Sequence, residues 1–418
     1  MRKRIFSAVI IMILFLTMIA GCGLEGGDSS MGQLELHAKE LDCSKRINID
    51  YAKPSMLPVQ QFGYDLLAYN IEEENPILSP VSAYIVLCML GNGADGETKS
   101  QLEDVLGTDM KCIPDNLMNV LPQEKETMKL SIANSAWLDE AFLVDEEWLA
   151  TVKSLFDSSV YQTDLNTETA KNDINKWVSD STNEMIPNLL EQPFKNTKLA
   201  LVDALYFKAD WVNKFAPQLT MEKDFKLEDG TTEEVHRMAG ICYDCGYLKD
   251  DRSEGVVLPY SGSNFAFVAI KPTGEEKIRD WYATYSSEKL INLIDSRKQT
   301  DVDVYMPKFT ANCKMRLKDS LKEMGITHAF DENQADFTLL GKSEDEQNLY
   351  LDMVLQEAVV KVAEDGTEAA AATASMSDGG ASIEMVNIVK FDSPFLYMIM
   401  DMESGVPVFM GIMDNPKK

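Results

Sequence analysis

Three histidines are present, and the sequence around them indicates neither a hydrolytic triad nor a zinc site. They are His37, His236 and His328, and the chain contains no His-Glu-x-x-His or Gly-x-Ser-x-Gly sequence. A triad or zinc site would have to be assembled from His236 or His328 without any local signature. Paired acids such as Asp250 and Asp251 are typical of solvated loops. We therefore expect a protein that is not an enzyme and that holds no metal and no cofactor.

Two further spacings resemble cofactor or redox motifs but lack the context that those motifs need. Gly91-Asn-Gly93-Ala-Asp-Gly96 has the letters of a dinucleotide fingerprint, but it follows a predicted helix rather than a strand. A turn between helices is the better interpretation. Cys242-Tyr-Asp-Cys245 has the spacing of a redox pair or half a zinc site, and no second pair completes it. Free thiols and a local disulfide are the two interpretations of this pair.

The segment from Val362 to Thr373 is the most informative stretch, because small residues interrupt a chain that becomes apolar again at Ile388. Read with the period of a strand, one face of the segment and its continuation carries only small side chains and the other carries both charges. The first face is Thr367, Ala369, Ala371, Thr373, Ser375, Ser377 and Gly379, and the charges on the second are Glu368 and Asp378. Such a segment can enter a sheet without burying a charge. An exposed loop or a short alanine-rich helix is the alternative.

Five ordered motifs, together with this segment, give the chain a family resemblance from about Val59 to Pro416. The motifs are Asn75–Ser82, Asp203–Trp211, Met306–Phe309 with Ala335–Phe337, Ser393–Phe395, and Phe409–Gly411 with Asn415-Pro416. They are similar to motifs of the serpins, and Glu364–Thr373 resembles the hinge of an inhibitory serpin. In the family's central-strand motif Asn usually stands where this chain has Asp203, and Gly where it has Ala209.

The fold class follows partly from the sequence and partly from the resemblance. Predicted helices begin at Pro80 and Asp145 and cover Lys314–Met324, and strands are predicted at Leu199–Phe207, Val256–Leu258, Phe265–Ile270 and Asp301–Tyr305. Helices dominate the front half and strands the back half, which indicates an α+β fold. No linker or repeat divides residues 59–418, so one large domain is expected. The resemblance implies a large central mixed β-sheet, further sheets, about eight to nine helices and an exposed reactive-centre loop at about 364–388.

The resemblance also implies a function and the residues that carry it. An inhibitory serpin is a suicide substrate of serine endopeptidases, and in some cases of cysteine endopeptidases; its loop, exposed outside the sheet, is cleaved and then enters the sheet as a new strand. The hinge residues here are Glu364, Gly366, Thr367, Glu368, Ala369, Ala370, Ala371, Ala372 and Thr373. Gly366 would act as a pivot, and the small residues would let the sheet open. The alternative is a non-inhibitory serpin that acts as a surface binding protein.

Two ways of counting place the scissile bond differently. Counting forward from Glu364 by the family's usual loop length gives Gly380–Ala381, and counting back from Val389 gives Ile383–Glu384. Met385 is a further candidate. Because no Arg or Lys lies between Thr373 and Val389, elastase-like or subtilisin-like proteases are favoured as partners and trypsin-like ones are disfavoured.

The resemblance also implies a polar group beneath the opening strands, which is known in serpins as the shutter. The matching residues are Ser79, Ser82, Asp203 and Gln356, where the family usually has Asn and His in place of Asp203 and Gln356. An ionised Asp203 that accepts from the Gln356 amide could replace the usual pair, since an amide group has two N–H donors.

The N-terminus indicates export and a lipid anchor. Arg2-Lys3-Arg4 precedes the apolar stretch Ile5–Met18, and Ile19-Ala20-Gly21-Cys22 resembles a bacterial lipobox. We expect residues 1–21 to be a lipoprotein signal peptide and 22–58 a tether that begins with lipidated Cys22. The expected location is outside the cytoplasm, anchored to a bacterial membrane.

The net charge argues against polyanionic partners. The chain has 39 basic and 68 acidic residues, and three of the basic ones lie in the signal, so the mature protein is near −32. Phosphate or sulfate binding needs clustered Lys and Arg, and Pro114–Lys129, where some serpins bind a sulfated cofactor, carries both signs of charge. We expect no nucleic acid, no heparin-type polyanion and a monomer.

Overall fold

Helices and strands follow one another in mixed order along the chain. The computed structural model describes residues 57–108, 117, 121, 123–156, 158–343, 348–367 and 386–418. The α-helices of this part are α1 Leu57–Tyr69, α2 Pro80–Gly91, α3 Gly96–Leu106, α4 Glu146–Phe156, α5 Glu168–Ser181, α6 Ile278–Thr284, α7 Ser287–Asp295 and α8 Lys318–Met324.

Eighteen strands are defined among the same residues. They are β1 Ile77–Leu78, β2 Gln123–Lys125, β3 Met128–Leu138, β4 Phe142–Val144, β5 Ser159–Gln162, β6 Leu199–Asp210, β7 Met221–Lys226, β8 Thr232–Lys249, β9 Ser253–Pro259, β10 Phe265–Pro272, β11 Lys298–Pro307, β12 Phe309–Arg316, β13 Gly341–Ser343, β14 Met353–Val362, β15 Gly366–Thr367, β16 Asn387–Lys390, β17 Phe395–Asp401 and β18 Pro407–Met413.

The strands form two large sheets and one small one. Sheet A has the order β12-β14-β15-β6-β3-β2, with β5 beside β3. Sheet B has the order β1-β18-β17-β10-β9-β8-β11-β16, with β7 beside β8, and β13 pairs with β4. Sheet A is mixed, because β14 and β6 run parallel while β3 and β6 run antiparallel. The strand β6 is buried on both faces from Leu199 to Phe207, as expected of an apolar central strand.

The core lies between the two sheets, with α2 inside it. Every residue of α2 from Pro80 to Gly91 is buried, as expected of a helix that is apolar on all sides. This helix contacts β3 and β6 of sheet A and β18 of sheet B. The helix α5 packs on the opposite face of sheet A, over a second apolar cluster that includes Trp137, Trp177 and Val202. We call the face of sheet A toward α2 its inner face.

Most of the predicted elements are present, and one helix is shorter than predicted. Ser79 caps α2 by accepting from the Ser82 N–H, and Pro80 is the first helical residue. The prediction of a helix over Lys314–Met324 is wrong at its start, because β12 continues to Arg316 and α8 begins at Lys318. The reason is the neighbouring strand: β12 pairs with β14 along its whole length, with alternate residues buried. In the described ranges no helix is long and apolar enough to cross a membrane.

Candidate functional site

The hinge segment begins inside sheet A. After β14 the chain turns at Ala363–Gly366, where the Ala363 N–H donates to the Gly366 carbonyl (3.0 Å). The short strand β15 then runs antiparallel to both neighbours, with Thr367 opposite Val362 of β14 and Ala209 of β6. The prediction that the whole loop starts outside the sheet is therefore wrong for its first two residues. They already occupy the space between β14 and β6.

Close backbone approach explains why glycine stands at position 366. A Cβ on this residue would lie 2.0 Å from the Ala209 carbonyl oxygen and 2.8 Å from the Asp210 Cα. Those atoms are backbone of β6 and cannot move aside as a flexible side chain could. Glycine is thus required where β15 enters the sheet, which is a more specific role than the pivot predicted from the sequence.

Thr367 is held by an aromatic cluster on the inner face. Its side chain is 1% exposed, and its hydroxyl lies 2.5 Å from that of Tyr260. The Tyr260 ring stacks on Trp211 with centroids 4.6 Å apart. The Trp211 indole N–H donates to the Ala363 carbonyl (2.8 Å), and the Trp211 backbone N–H donates to the Asp365 carbonyl (2.9 Å). One cluster therefore binds both the turn and the strand that follows it.

Glu364 fixes the other side of the turn. The Phe215 N–H donates to its carbonyl, and its carboxylate accepts from the Thr220 hydroxyl (2.9 Å) and the Lys308 ammonium (2.8 Å). Partial burial acts to raise the pKa of Glu364, but these bonds, the Lys308 charge and its own backbone N–H together lower it. The carboxylate therefore stays ionised and anchors the start of the hinge.

In sheet A the strands β14 and β6 pair directly at one end and are separated at the other, where β15 lies. In the described strands, β14 and β6 pair directly from Met353 opposite Ala200 to Glu357 opposite Ala204. Above this closed part, residues 358–361 of β14 face residues 205–208 of β6 without such pairing, up to the position of β15. A strand that continued β15 would fill this open part first.

The four shutter residues lie together at the closed part. The Gln356 amide donates to the Asp203 Oδ1 (2.9 Å) and to the Ser79 carbonyl (3.1 Å), and accepts from the Ser79 N–H (2.8 Å). None of Ser79, Ser82, Asp203 and Gln356 is more than 2% exposed. The hydrogen bond considered in the sequence analysis between Gln356 and Asp203 is thus present. It links β14 to β6, and Gln356 also links them to the start of α2.

Asn134 is a fifth member of this group that the sequence analysis missed. It lies on β3 directly opposite Asp203, is 2% exposed, and its Oδ1 accepts from the Ser82 hydroxyl (3.2 Å). A single amide in the otherwise alternating strand Met128–Leu138 was the available signal. Two buried atoms of the group have no hydrogen-bond partner: Asp203 Oδ2 and Asn134 Nδ2. We call these five residues the polar cluster.

Burial changes the pKa of Asp203. Burial raises its pKa, and the hydrogen bond from Gln356 and the nearby Ser82 hydroxyl lower it only partly, so that the pKa is about 7. Near neutral pH the ionised Asp203 considered in the sequence analysis therefore coexists with the neutral carboxyl group. The groups that face it from α2, β3 and β14 are Ser82, Asn134 and Gln356, and none of these titrates.

The remaining candidates lie elsewhere or outside the described residues. Cys242 and Cys245 are free thiols, with the Cys245 Sγ near the Cys242 carbonyl. No group of three metal-binding side chains occurs in the ranges that the structure describes. Cys22, the hinge residues Glu368–Thr373, and the bond candidates Gly380, Ala381, Ile383, Glu384 and Met385 lie outside those ranges.

Comparison with known proteins identifies the family. The serpin (serine protease inhibitor) family model matches residues 58–416. Neuroserpin of Mus musculus is 29% identical over 371 residues, covering 85% of this chain and 89% of its own. The chain belongs to the serpin family.

Solved structures agree on the fold. The thermophilic serpin tengpin in its native state has a TM-score of 0.84 at 29% identity, covering 92% of this chain and 98% of its own. Thyroxine-binding globulin with thyroxine has a TM-score of 0.77 at 27% identity (87% and 99%). Native protease nexin-1 with heparin has 0.76 at 25% (88% and 100%). The predicted fold, one domain with a large mixed sheet A and further sheets, is confirmed.

Two predictions need restating in the light of the family. The statement that the chain is not an enzyme, drawn from its few histidines, is corrected to a narrower one: serpins are protease inhibitors, which are not enzymes in the catalytic sense. The prediction that no heparin-type polyanion binds has no support from the family, because protease nexin-1 was solved with heparin. That prediction rests on charge alone.

Proposed function

We propose that this protein is an inhibitory serpin that traps serine endopeptidases by insertion of its cleaved loop into sheet A. One observation carries the proposal: β15 lies between β14 and β6, antiparallel to both, as the first part of an inserted strand would. A loop that is cut beyond Thr373 can continue this strand without a change of register. The unbroken run of small residues from Ala369 to Ala372 suits such a continuation.

The chemistry belongs to the protease, and the inhibitor supplies the substrate. The protease serine attacks a loop carbonyl, the peptide bond breaks, and the new amino terminus leaves while the loop stays esterified to the enzyme. Insertion then carries the tethered enzyme along sheet A. About 14 inserted residues at roughly 3.3 Å each span about 45 Å, which is enough to cross a domain. The enzyme is distorted there before water can release it.

The test is a mixture of the protein with elastase-like, subtilisin-like and trypsin-like proteases, followed by a denaturing gel. We expect a covalent band with the elastase-like or subtilisin-like enzymes, since no Arg or Lys lies between Thr373 and Val389. The first residue of the released C-terminal fragment identifies the bond, expected within Gly380–Met385. Cleavage without a covalent band would instead favour the non-inhibitory, surface-binding alternative; thyroxine-binding globulin, which was solved with thyroxine, has a similar fold.

We further propose that the domain acts at a cell surface, tethered through lipidated Cys22, and as a monomer. The lipobox-like Ile19-Ala20-Gly21-Cys22 supports the anchor. One or two acyl chains on a tether would leave the loop accessible to soluble proteases. Replacement of Cys22 by Ser should move the protein from the membrane fraction to the medium; unchanged membrane association would contradict the anchor.

A further inference from the structure

A bulge in β8 places Cys242 and Cys245 on the same face of sheet B. Cys242 is opposite Val302 on β11, and Cys245 is opposite Thr300, so that two residues of β8 face only one of β11 between these pairs. In a regular strand, residues three apart point to opposite faces. The extra residue gives the two cysteines a common face, and both side chains are buried there (4% and 0% exposed).

Contacts on both sides support the bulge. Asp244 has a φ of 50°, in the left-handed region that Asp tolerates better than most residues. Its N–H donates to the Asp301 carboxylate (3.0 Å), and its carbonyl accepts from the Gln299 amide. These contacts hold the backbone conformation that brings the two cysteines to one face.

The two thiol groups lie within hydrogen-bonding reach of each other. The Cys245 thiol donates to the Cys242 carbonyl (3.4 Å). A hydrogen bond between the two side chains, together with burial, raises the pKa of Cys242. The Cys242 thiol is therefore protonated at neutral pH and reacts slowly with reagents in solution. Its reaction needs local opening of β8, and a bond formed there would be shielded in the same way.

The cysteine pair also contacts the segment that holds the hinge turn. The Asn213 amide donates to the Cys242 sulfur (3.6 Å) and to the Tyr243 carbonyl (3.0 Å). Asn213 lies between Trp211 and Phe215, whose backbone N–H groups donate to carbonyls of the hinge turn. A change at the bulge is therefore passed to the hinge turn through one side chain.

We propose that Cys242 and Cys245 form a disulfide by exchange with an external disulfide, and that this bond fixes the segment that holds the hinge turn. One cysteine, as the thiolate, attacks a sulfur of the external disulfide, which gives a mixed disulfide and releases one thiol. The second cysteine then attacks the sulfur of the first, which releases the second thiol. The two cysteines lose two protons and two electrons in total, and the external disulfide is reduced to two thiols. The site does not depend on protease inhibition, and a location outside the cytoplasm is where such oxidants occur.

The segment Met238–Lys249 makes this bond measurable. It follows Arg237 and has no Lys or Arg before its last residue, so trypsin releases it as one peptide. Cys242 and Cys245 are its only cysteines. The full chain, starting from reduced and from oxidised protein, is equilibrated with mixtures of oxidised and reduced glutathione, once folded and once in guanidinium. After an acid quench, free thiols are alkylated in denaturant. The reduced peptide then carries two alkyl groups, whereas the disulfide form carries none and lacks two hydrogens.

We expect the folded chain to be half oxidised at a ratio of oxidised glutathione to the square of reduced glutathione about tenfold lower than the denatured chain. The fold holds the two thiols together, whereas the denatured chain must order the loop between them. A disulfide that stabilises a fold is favoured by that fold to the same extent. A folded chain that needs as much oxidant as the denatured chain, or more, would overturn the proposal.

Hydrogen exchange tests the effect on the hinge turn. The amides of Trp211 and Phe215 should exchange several-fold more slowly in the oxidised protein than in the reduced one, because the cross-link suppresses the opening of β8 that would release Asn213. The double variant Cys242→Ser with Cys245→Ser, treated with the same glutathione mixtures, is the control and should show no such change. Unchanged or faster exchange at both amides in the fully oxidised wild type would overturn the proposed effect on the hinge turn.

Discussion

At the scale of single residues, Asp203 carries the most unusual chemistry in sheet A. A carboxyl group that is removed from water is costly unless donors surround it, and here one oxygen has a donor and the other has none. In the proposed mechanism the sheet would part at this group to admit a strand. The hydrogen bond from Gln356 to Asp203 Oδ1 joins β14 to β6, and Asp203 Oδ2 remains able to accept a hydrogen bond. Purely apolar packing at this point would offer neither property.

The raised pKa of Asp203 predicts a pH dependence of stability. Because the folded pKa of about 7 lies above the ordinary 3.8, the folded protein binds this proton more tightly than the unfolded chain does. The corresponding stabilisation is fully present below pH 4 and is lost as the pH rises to 7; it amounts to about 4 kcal/mol. Asp203→Asn cannot titrate and should lack this component.

The measurement is the free energy of unfolding of wild type and Asp203→Asn between pH 4 and 8. The free energy of unfolding of the wild type should fall relative to that of Asp203→Asn as the pH rises to about 7. Above that pH the difference between the two proteins should level off. Parallel profiles would contradict the burial of a titrating Asp203.

The polar cluster also shows how far sequence reasoning reaches at this scale. Asp203 and Gln356 could be paired in advance because both depart from a family pattern at matched positions. Asn134 departs from no quoted motif, and only the strand pairing places it opposite Asp203. The pKa of Asp203 could not be predicted either, because it depends on burial by α2 and β14, which are distant in sequence.

At the scale of elements, the short strand β15 decides how the start of the hinge is held in the intact protein. Its two residues could not be predicted as a strand, because their pairing depends on a gap between β14 and β6 rather than on local propensity. The same limit explains the helix predicted over Lys314–Met324. The spacing of Leu317, Leu321 and Met324 is helical, but the residues before Leu317 belong to β12, whose pairing the local sequence does not indicate. Long apolar strands such as β6 and β10 were predictable, since their burial follows from their own composition.

Replacement of Thr367 by Arg should convert the inhibitor into a substrate. The site is already buried against Tyr260, so a guanidinium there would have no partner and would cost about 3–5 kcal/mol unless β15 left the sheet. Insertion would then start from outside the sheet and would have to bury the charge, so hydrolysis should overtake it. The readout is the ratio of covalent complex to cleaved inhibitor on a denaturing gel.

Thr367→Ser is the matched control, because it keeps the hydroxyl beside Tyr260, and it should trap protease as the wild type does. Covalent complex formed by Thr367→Arg with undiminished yield would refute the role assigned to β15.

At the scale of the whole molecule, sheet A has an open part and a closed part. The open part holds β15 and the unpaired residues of β14 and β6 beside it. The closed part is held by direct pairing of β14 with β6 and by the polar cluster. The turn at Glu364 and the cluster around Trp211 fix the start of β15. The intact protein therefore holds a partly formed sheet, and completion of that sheet would add main-chain hydrogen bonds on both sides of a new strand.

Thermal unfolding of the wild-type protein before and after a single cut within Gly380–Met385 tests the central claim most directly. If cleavage lets the loop complete sheet A, the melting temperature of the cut protein should rise well above that of the intact protein, although the cut removes a covalent constraint. A cut protein that melts at the same temperature as the intact one, or below it, would show that the loop does not enter the sheet and would contradict this account.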